Sequence, residues 1–195
     1  MVFQERTYSV LLVSASEKFN TAVMPLLPPT DYHPVRIAKS VAQAQRMLLE
    51  RAFDLVVVNA PLPDDFGMDL AMRICKTTGA GVLLLTASAL YNDVYARVVS
   101  CGVLTLSRPT SALMIAQSLR MLCATRERLR RMEEKQSTVE KKIEEIRLIN
   151  RAKWLLIECL SMTEADAHRH IEKQAMDLRI SKREVAEDII RTYKG

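Results

Sequence analysis

Short apolar runs recur through the first 110 residues and are separated by stretches with helical periodicity. The runs are continuous rather than alternating, which is typical of strands buried on both faces of a parallel sheet. They fall at residues 10–13, 35–37, 55–58, 82–85 and 103–106. The helical stretches fall near residues 41–51, 68–76, 91–100 and from 112 onward. Five strands with intervening helices predict an α/β domain with a five-stranded, doubly wound parallel sheet.

A long uninterrupted helix is predicted next, because residues 112–159 contain neither proline nor glycine. Taking Leu122 as heptad position a places mostly apolar residues at a and d as far as Ile146. This spacing predicts a parallel dimeric coiled coil over residues 116–146. Its candidate dimerisation residues, the coiled-coil seam, are Leu122, Leu129, Met132, Gln136, Val139, Ile143 and Ile146.

Charges beside the seam partly support a dimer. In a parallel pair Arg128 faces Glu133 and Lys135 faces Glu140, and both pairs attract. Lys142 against Arg147 repels. The alternative interpretation is a long amphipathic helix that packs on its own domain.

The last segment is predicted to be a small all-α bundle of three helices near residues 146–160, 164–178 and 182–193. Thr163 precedes the second helix, and Ser181 and Glu184 have the spacing of a capping box before the third. The predicted domains are therefore residues 1–115, the coiled coil at 116–146 and the bundle at 147–195.

Composition limits the class of protein without defining it. The 28 lysines and arginines exceed the 23 acids, giving a net charge of +5, which permits a polyanionic partner without requiring one. The first six residues lack a signal-peptide pattern, and no apolar run approaches a membrane span. The four cysteines are scattered without metal-binding spacing. We expect a cytoplasmic protein without membrane association, metal or cofactor.

The first domain resembles a response-regulator receiver domain. The resemblance rests on residues 54–63 with Gly67, on residues 82–87, and on Arg108-Pro109 after the fifth strand. It implies a phosphoacceptor aspartate, two Mg²⁺-binding acids and a lysine. The positions that match these groups are Asn59, the pair Ser14 and Ala15, and Arg108; Thr86 keeps the expected hydroxyl.

A neutral amide at position 59 is neither a nucleophile nor a good ligand for a hard cation. We therefore expect a degenerate receiver that is not phosphorylated by the family mechanism. Asp64 and Asp65 lie just beyond the site, either to hold a cation or simply as solvated loop acids. Dimerisation, partner docking and small-molecule sensing remain open as roles for this domain.

The bundle resembles an ANTAR domain, the RNA-binding module of antitermination regulators. The resemblance begins at residues 149–156, continues through 163–168 and 175–177, and closes with 179–186 and 189–190. It implies a dimer that holds two hairpins of a leader transcript so that a terminator cannot form. The candidate RNA-binding residues are Arg147, Asn150, Arg151, Lys153, Arg179, Lys182 and Arg183. Residues 147–195 hold ten cations against eight acids, so an RNA-binding face must be a local patch.

Trp154 departs from the family, which usually has glycine after Ala-Lys. The indole is expected to pack in the core or between subunits, or to present a surface on which a base could stack.

Other classes of function remain alternatives. A DNA-binding response regulator would use the terminal helices as a helix-turn-helix, and a scaffold would bind only protein partners. An enzyme is the weakest interpretation, because the histidines have no arranged acid or nucleophile and no phosphate-binding glycine loop occurs. The order receiver, coiled coil, ANTAR is similar to the aliphatic-amidase-regulator branch, which implies control by a sequestering protein.

Overall fold

The computed structural model describes residues 7–193; residues 1–6, considered above for a targeting signal, lie outside this range. The chain divides into two compact units, the first ending at Arg131 and the second beginning at Met132. Between residues 7 and 193, no helix is both long enough and apolar enough to cross a bilayer.

The first unit contains the predicted five-stranded parallel sheet. Its strands stand in the order β2-β1-β3-β4-β5, and every neighbouring pair is parallel. They are β1 (Tyr8–Val13), β2 (Tyr32–Ala38), β3 (Leu55–Asn59), β4 (Gly81–Ala87) and β5 (Leu104–Arg108). The predicted fold class is confirmed, and β1, β3 and β4 contain the three strongest apolar runs.

Four helices follow the first four strands. They are α1 (Glu17–Val23), α2 (Val41–Glu50), α3 (Met68–Thr77) and α4 (Tyr91–Val98). The apolar periodicity predicted the last three. It missed α1, which has only seven residues and is followed by a 3-10 turn containing Pro25. The local signal for α1 was Ser16, whose hydroxyl accepts a hydrogen bond from the Phe19 amide at 3.3 Å as an N-cap.

The helices cover both faces of the sheet. Apolar residues of α2, α3 and α4 fill one core, and α1 fills the other together with Ile115, Leu119 and Leu122 from the start of α5 (Ala112–Leu160). A β-carbon at Gly81 would lie 3.2 Å from the Leu122 β-carbon, so the glycine permits close approach of helix and strand. Leu122 is 5% exposed and belongs to this core.

The second unit is helical. The end of α5, α6 (Glu164–Leu178) and α7 (Lys182–Tyr193) enclose a core of small and branched residues. Its fully buried members are Ala152, Leu156, Ala167, Ile171, Val185 and Ala186. Thr163 caps α6 by accepting from the Asp166 amide at 3.2 Å, and Arg179 ends that helix in a left-handed conformation. The capping box forms as predicted, with the Glu184 carboxylate accepting from the Ser181 amide at 2.8 Å.

Candidate functional site

The carboxyl end of the sheet brings together the residues that match the receiver site. Asn59 and Arg108 end β3 and β5, Thr86 lies near the end of β4, and Ser14 follows β1. Ser14 and Thr86 are fully buried, Asn59 is nearly so, and Ala15 is exposed. The five predicted positions therefore lie on the strand ends that the resemblance implied.

Hydrogen bonds join Asn59 to Ser14, and Arg108 to the neighbouring backbone, without any carboxylate. The Asn59 amide nitrogen donates to the Ser14 hydroxyl at 3.1 Å, and the same hydroxyl accepts from the Ser16 backbone at 3.2 Å. The Arg108 guanidinium donates to the carbonyl of Ala60. Arg108 thus binds the backbone beside Asn59, and among residues 7–193 it has no carboxylate partner.

The loop acids have structural roles. Both oxygens of the Asp64 carboxylate accept from the first backbone amides of α2, at Val41 and Ala42, each at 2.9 Å. These bonds hold the pKa of Asp64 below its usual value. Asp65 accepts from the Gly67 amide at 2.7 Å, where a left-handed backbone begins α3. Within the range 7–193, no group of three or more metal-ligating side chains occurs.

Because the cluster offers no nucleophilic carboxylate at position 59, incubation with acetyl phosphate and Mg²⁺ is expected to leave the protein mass unchanged. Intact-protein mass spectrometry checks this. A receiver domain with its aspartate present serves as the positive control. A stable gain of one phosphoryl group would contradict the expectation.

The candidate seam residues divide between two environments. Leu122 packs in the core of the first unit, so it is not available to a partner helix in this structure. The other apolar seam residues are 40–57% exposed: Leu129, Met132, Val139, Ile143 and Ile146. Gln136 is exposed as well and donates to Glu140 at 2.9 Å. An exposed apolar stripe therefore starts one heptad later than the sequence predicted.

Four of the candidate RNA-binding cations form ion pairs inside the second unit. Lys153, whose side chain is only 16% exposed, lies 2.9 Å from Glu164 and ties α5 to the start of α6. Lys182 lies 2.5 Å from Glu172, and Arg183 lies 2.8 Å from Glu187. Arg147 makes a looser contact with Glu144 at 3.9 Å. Sequence reasoning missed these acids as partners, although Glu164 directly follows the capping residue Thr163.

The remaining candidates are exposed and less constrained. Arg151 and Arg179 form no ion pair with the residues of the described range, and Asn150 is exposed on α5. Trp154 is 69% exposed, so the expectation that it packs in the core is wrong for the single chain.

The ion pairs predict acid sensitivity of the second unit. Hydrogen bonding and charge from Lys153 hold the pKa of Glu164 below its ordinary 4.5, and Lys182 does the same for Glu172. A carboxyl with a lowered folded-state pKa contributes stability above its unfolded pKa, and this is lost as pH falls through the folded value. The urea concentration at the midpoint of unfolding should therefore decrease as the pH is lowered below 4.5. Lys153→Met should make this midpoint depend less on pH. The exposed Lys173→Met is the control; identical pH profiles for both variants would refute the role given to Lys153.

Comparison with known proteins agrees with the division of the chain into a first unit with a parallel sheet and a second, helical unit. The ANTAR domain model matches residues 137–190, starting ten residues before the bundle predicted from residue 147. The signal receiver domain of an HD domain-containing protein from Pseudomonas fluorescens Pf-5 superposes with a TM-score of 0.59 at 26% identity, covering 67% of this chain and 96% of that one. An adenylate cyclase structure from Rhodopirellula baltica superposes with a TM-score of 0.61, covering 68% of this chain and 98% of that one. At 18% identity, this similarity shows the fold alone.

The first unit is thus a receiver-fold domain. The "transcriptional regulatory protein PdtaR" of Mycobacterium tuberculosis is 29% identical over 140 residues, covering 71% of this chain and 68% of that protein. With the ANTAR match and the receiver fold, this similarity supports an ANTAR regulator with a receiver domain.

Proposed function

We propose that this chain regulates transcription in the cytoplasm by binding leader-transcript hairpins as a dimer, favouring antitermination. The observation that carries the proposal is the ANTAR match, which covers a three-helix unit with its own buried core. Hairpin loops expose unpaired bases for recognition, while cationic side chains meet the phosphates. Arg151 and Arg179 are the candidate cations that form no ion pair within residues 7–193.

Dimerisation is proposed through α5. A helix with five apolar side chains exposed at heptad spacing gains stability by burying them against a second copy. The proposed seam begins at Leu129 and ends at Ile146, because Leu122 is already buried in the core of the first unit. The proposed domain order is therefore receiver, coiled coil and ANTAR bundle, with the receiver extending past residue 115.

Control is proposed to be independent of aspartyl phosphorylation and of cofactors. Asn59 and Ser14 bond to each other at the place where the phosphorylation chemistry needs carboxylates. A sequestering or regulatory protein partner is the proposed input. Affinity purification from native lysate tests it, and recovery without any stoichiometric partner would count against it.

Binding specificity is tested with a pool of synthetic RNA hairpins that share one stem and have a randomised loop. We expect salt-dependent retention of a subset of loops and no comparable affinity for duplex DNA of the stem sequence. Preference for the duplex would favour a DNA-binding regulator, and binding to neither would favour a scaffold. Enriched hairpins placed across a terminator should then increase read-through in single-round transcription.

A further inference from the structure

One exposed face of α5 combines an aromatic ring with two guanidinium groups. Arg147, Arg151 and Trp154 are spaced four and seven residues apart, so they project from the same side of the helix. All three are exposed, and the Arg147 side chain is 74% accessible. Ala152 and Leu156, which enter the bundle core, lie on the other side. We call the three residues the Trp154 face.

Burying a tryptophan side chain removes about 150–250 Å² of surface from water, so the exposed indole offers a large flat apolar area to a ligand. The bundle core does not use it. Breaking the ion pair of the neighbouring Arg147 costs little. An exposed pair such as Arg147–Glu144, with its charged atoms 3.9 Å apart, contributes almost nothing to stability. Arg151 forms no ion pair within residues 7–193. Both guanidinium groups are thus ready for an external anion.

A second copy of the chain fits this face poorly. The apolar seam stops at Ile146, and the next two seam positions are Asn150 and Lys153. In a parallel pair Arg147 would also face Lys142 of the other copy, and these like charges repel. An anionic ligand with flat, unpaired rings removes the repulsion and covers the indole.

We propose that Trp154 stacks on an unpaired base of the RNA loop while Arg151 and Arg147 contact the flanking phosphates. The inference rests on the proposed RNA-binding function and names where the loop is held. Base–aromatic stacking needs only a π-face, and neighbouring arginines add charge attraction to the phosphates. Glu158, exposed one turn beyond Trp154, limits the surface at that end because it repels phosphate.

Trp154 is the only tryptophan of the chain, so its fluorescence reports on this face alone. The probe is the hairpin pool described above, with binding followed independently by the anisotropy of a dye on the stem. We expect indole emission to be quenched in parallel with the anisotropy rise. Full anisotropy change with unaltered emission would overturn the inference and leave the proposed function intact. If no hairpin binds at low salt, both fail.

Substitutions give a second readout. Trp154→Ala should weaken hairpin affinity by roughly 5- to 150-fold, whereas Trp154→Phe should keep most of it. Arg151→Ala should reduce the slope of log affinity against log salt by about 0.7. Lys141→Ala, an exposed cation on another side of the same helix, is the matched control and should leave affinity unchanged. Equal affinity of Trp154→Ala and wild type would refute the stacking contact, and dissociation of the Trp154→Ala dimer would reassign Trp154 to the subunit interface.

Discussion

Replacing Ile143 and Ile146 with glutamate is expected to make the chain monomeric at concentrations where the wild type is dimeric. Both side chains are about half exposed in the single chain, at 45% and 57%. Burying the exposed part of four such side chains contributes roughly 3–6 kcal/mol per dimer. Their loss raises the dissociation constant by a factor on the order of 10² to 10⁴, before any repulsion between the new carboxylates. Sedimentation equilibrium measures this directly.

The matched control adds the same charge away from the seam. Ser137→Glu with Thr138→Glu places two carboxylates at heptad positions b and c of the same exposed stretch. This variant should remain dimeric and keep its helix content. The seam variant should also lose affinity for a transcript with two hairpins by about 10²- to 10⁴-fold, since linkage no longer aids the second contact. A monomeric wild type, or a seam variant that stays dimeric, would show that the coiled-coil proposal is wrong.

Ile171→Ala is expected to destabilise the ANTAR unit strongly. Ile171 lies on α6 and is only 1% exposed, among Leu156, Ala167 and Val185. Removing a buried isoleucine side chain to alanine costs about 2–5 kcal/mol. A unit that begins at Met132 and ends with the chain has roughly 3–10 kcal/mol of stability in total. The substitution therefore removes a large part of it.

Hydrogen exchange with peptide resolution checks that prediction unit by unit. Protection should fall in α6 and α7 and remain unchanged in strands β1, β3 and β4. Met176→Ala is the control on the same helix, because that side chain is 78% exposed. Comparable loss of protection in both variants would mean that Ile171 is not a core residue.

Much of the fold could be predicted from the periodicity of apolar residues. Strands β1, β3 and β4 are central in the sheet, so both faces must be apolar and their runs are continuous. Helices α6 and α7 begin where Thr163 and the Ser181–Glu184 pair predicted helix starts, because these caps act through residues three positions apart. Short α1 escaped detection since seven residues give less than two apolar repeats of a helix.

The candidate site was predictable in part. The meeting of Asn59 with Ser14, Thr86 and Arg108 follows from topology, since parallel strand ends lie at one edge of the sheet. The seam could not be delimited in the same way: Leu122 has correct heptad phase, yet Gly81 opens a space for it beside β4. Such a contact joins residues 41 positions apart and has no local signature. For the same reason, the pairing of Lys153 with Glu164 was not visible in the pattern of charges.

The unbroken helix α5 constrains how many residues can be inserted into or deleted from this part of the sequence. Residues of the seam and residues of the ANTAR core lie on one helix with no loop between Val139 and Leu156. One added or deleted residue there turns everything beyond it by about 100°, so the bundle would no longer hold its present angle to the seam. Changes of seven residues nearly restore that angle. Variation among related chains in this stretch should thus come in whole heptads, whereas the loops of the receiver unit are free of that rule.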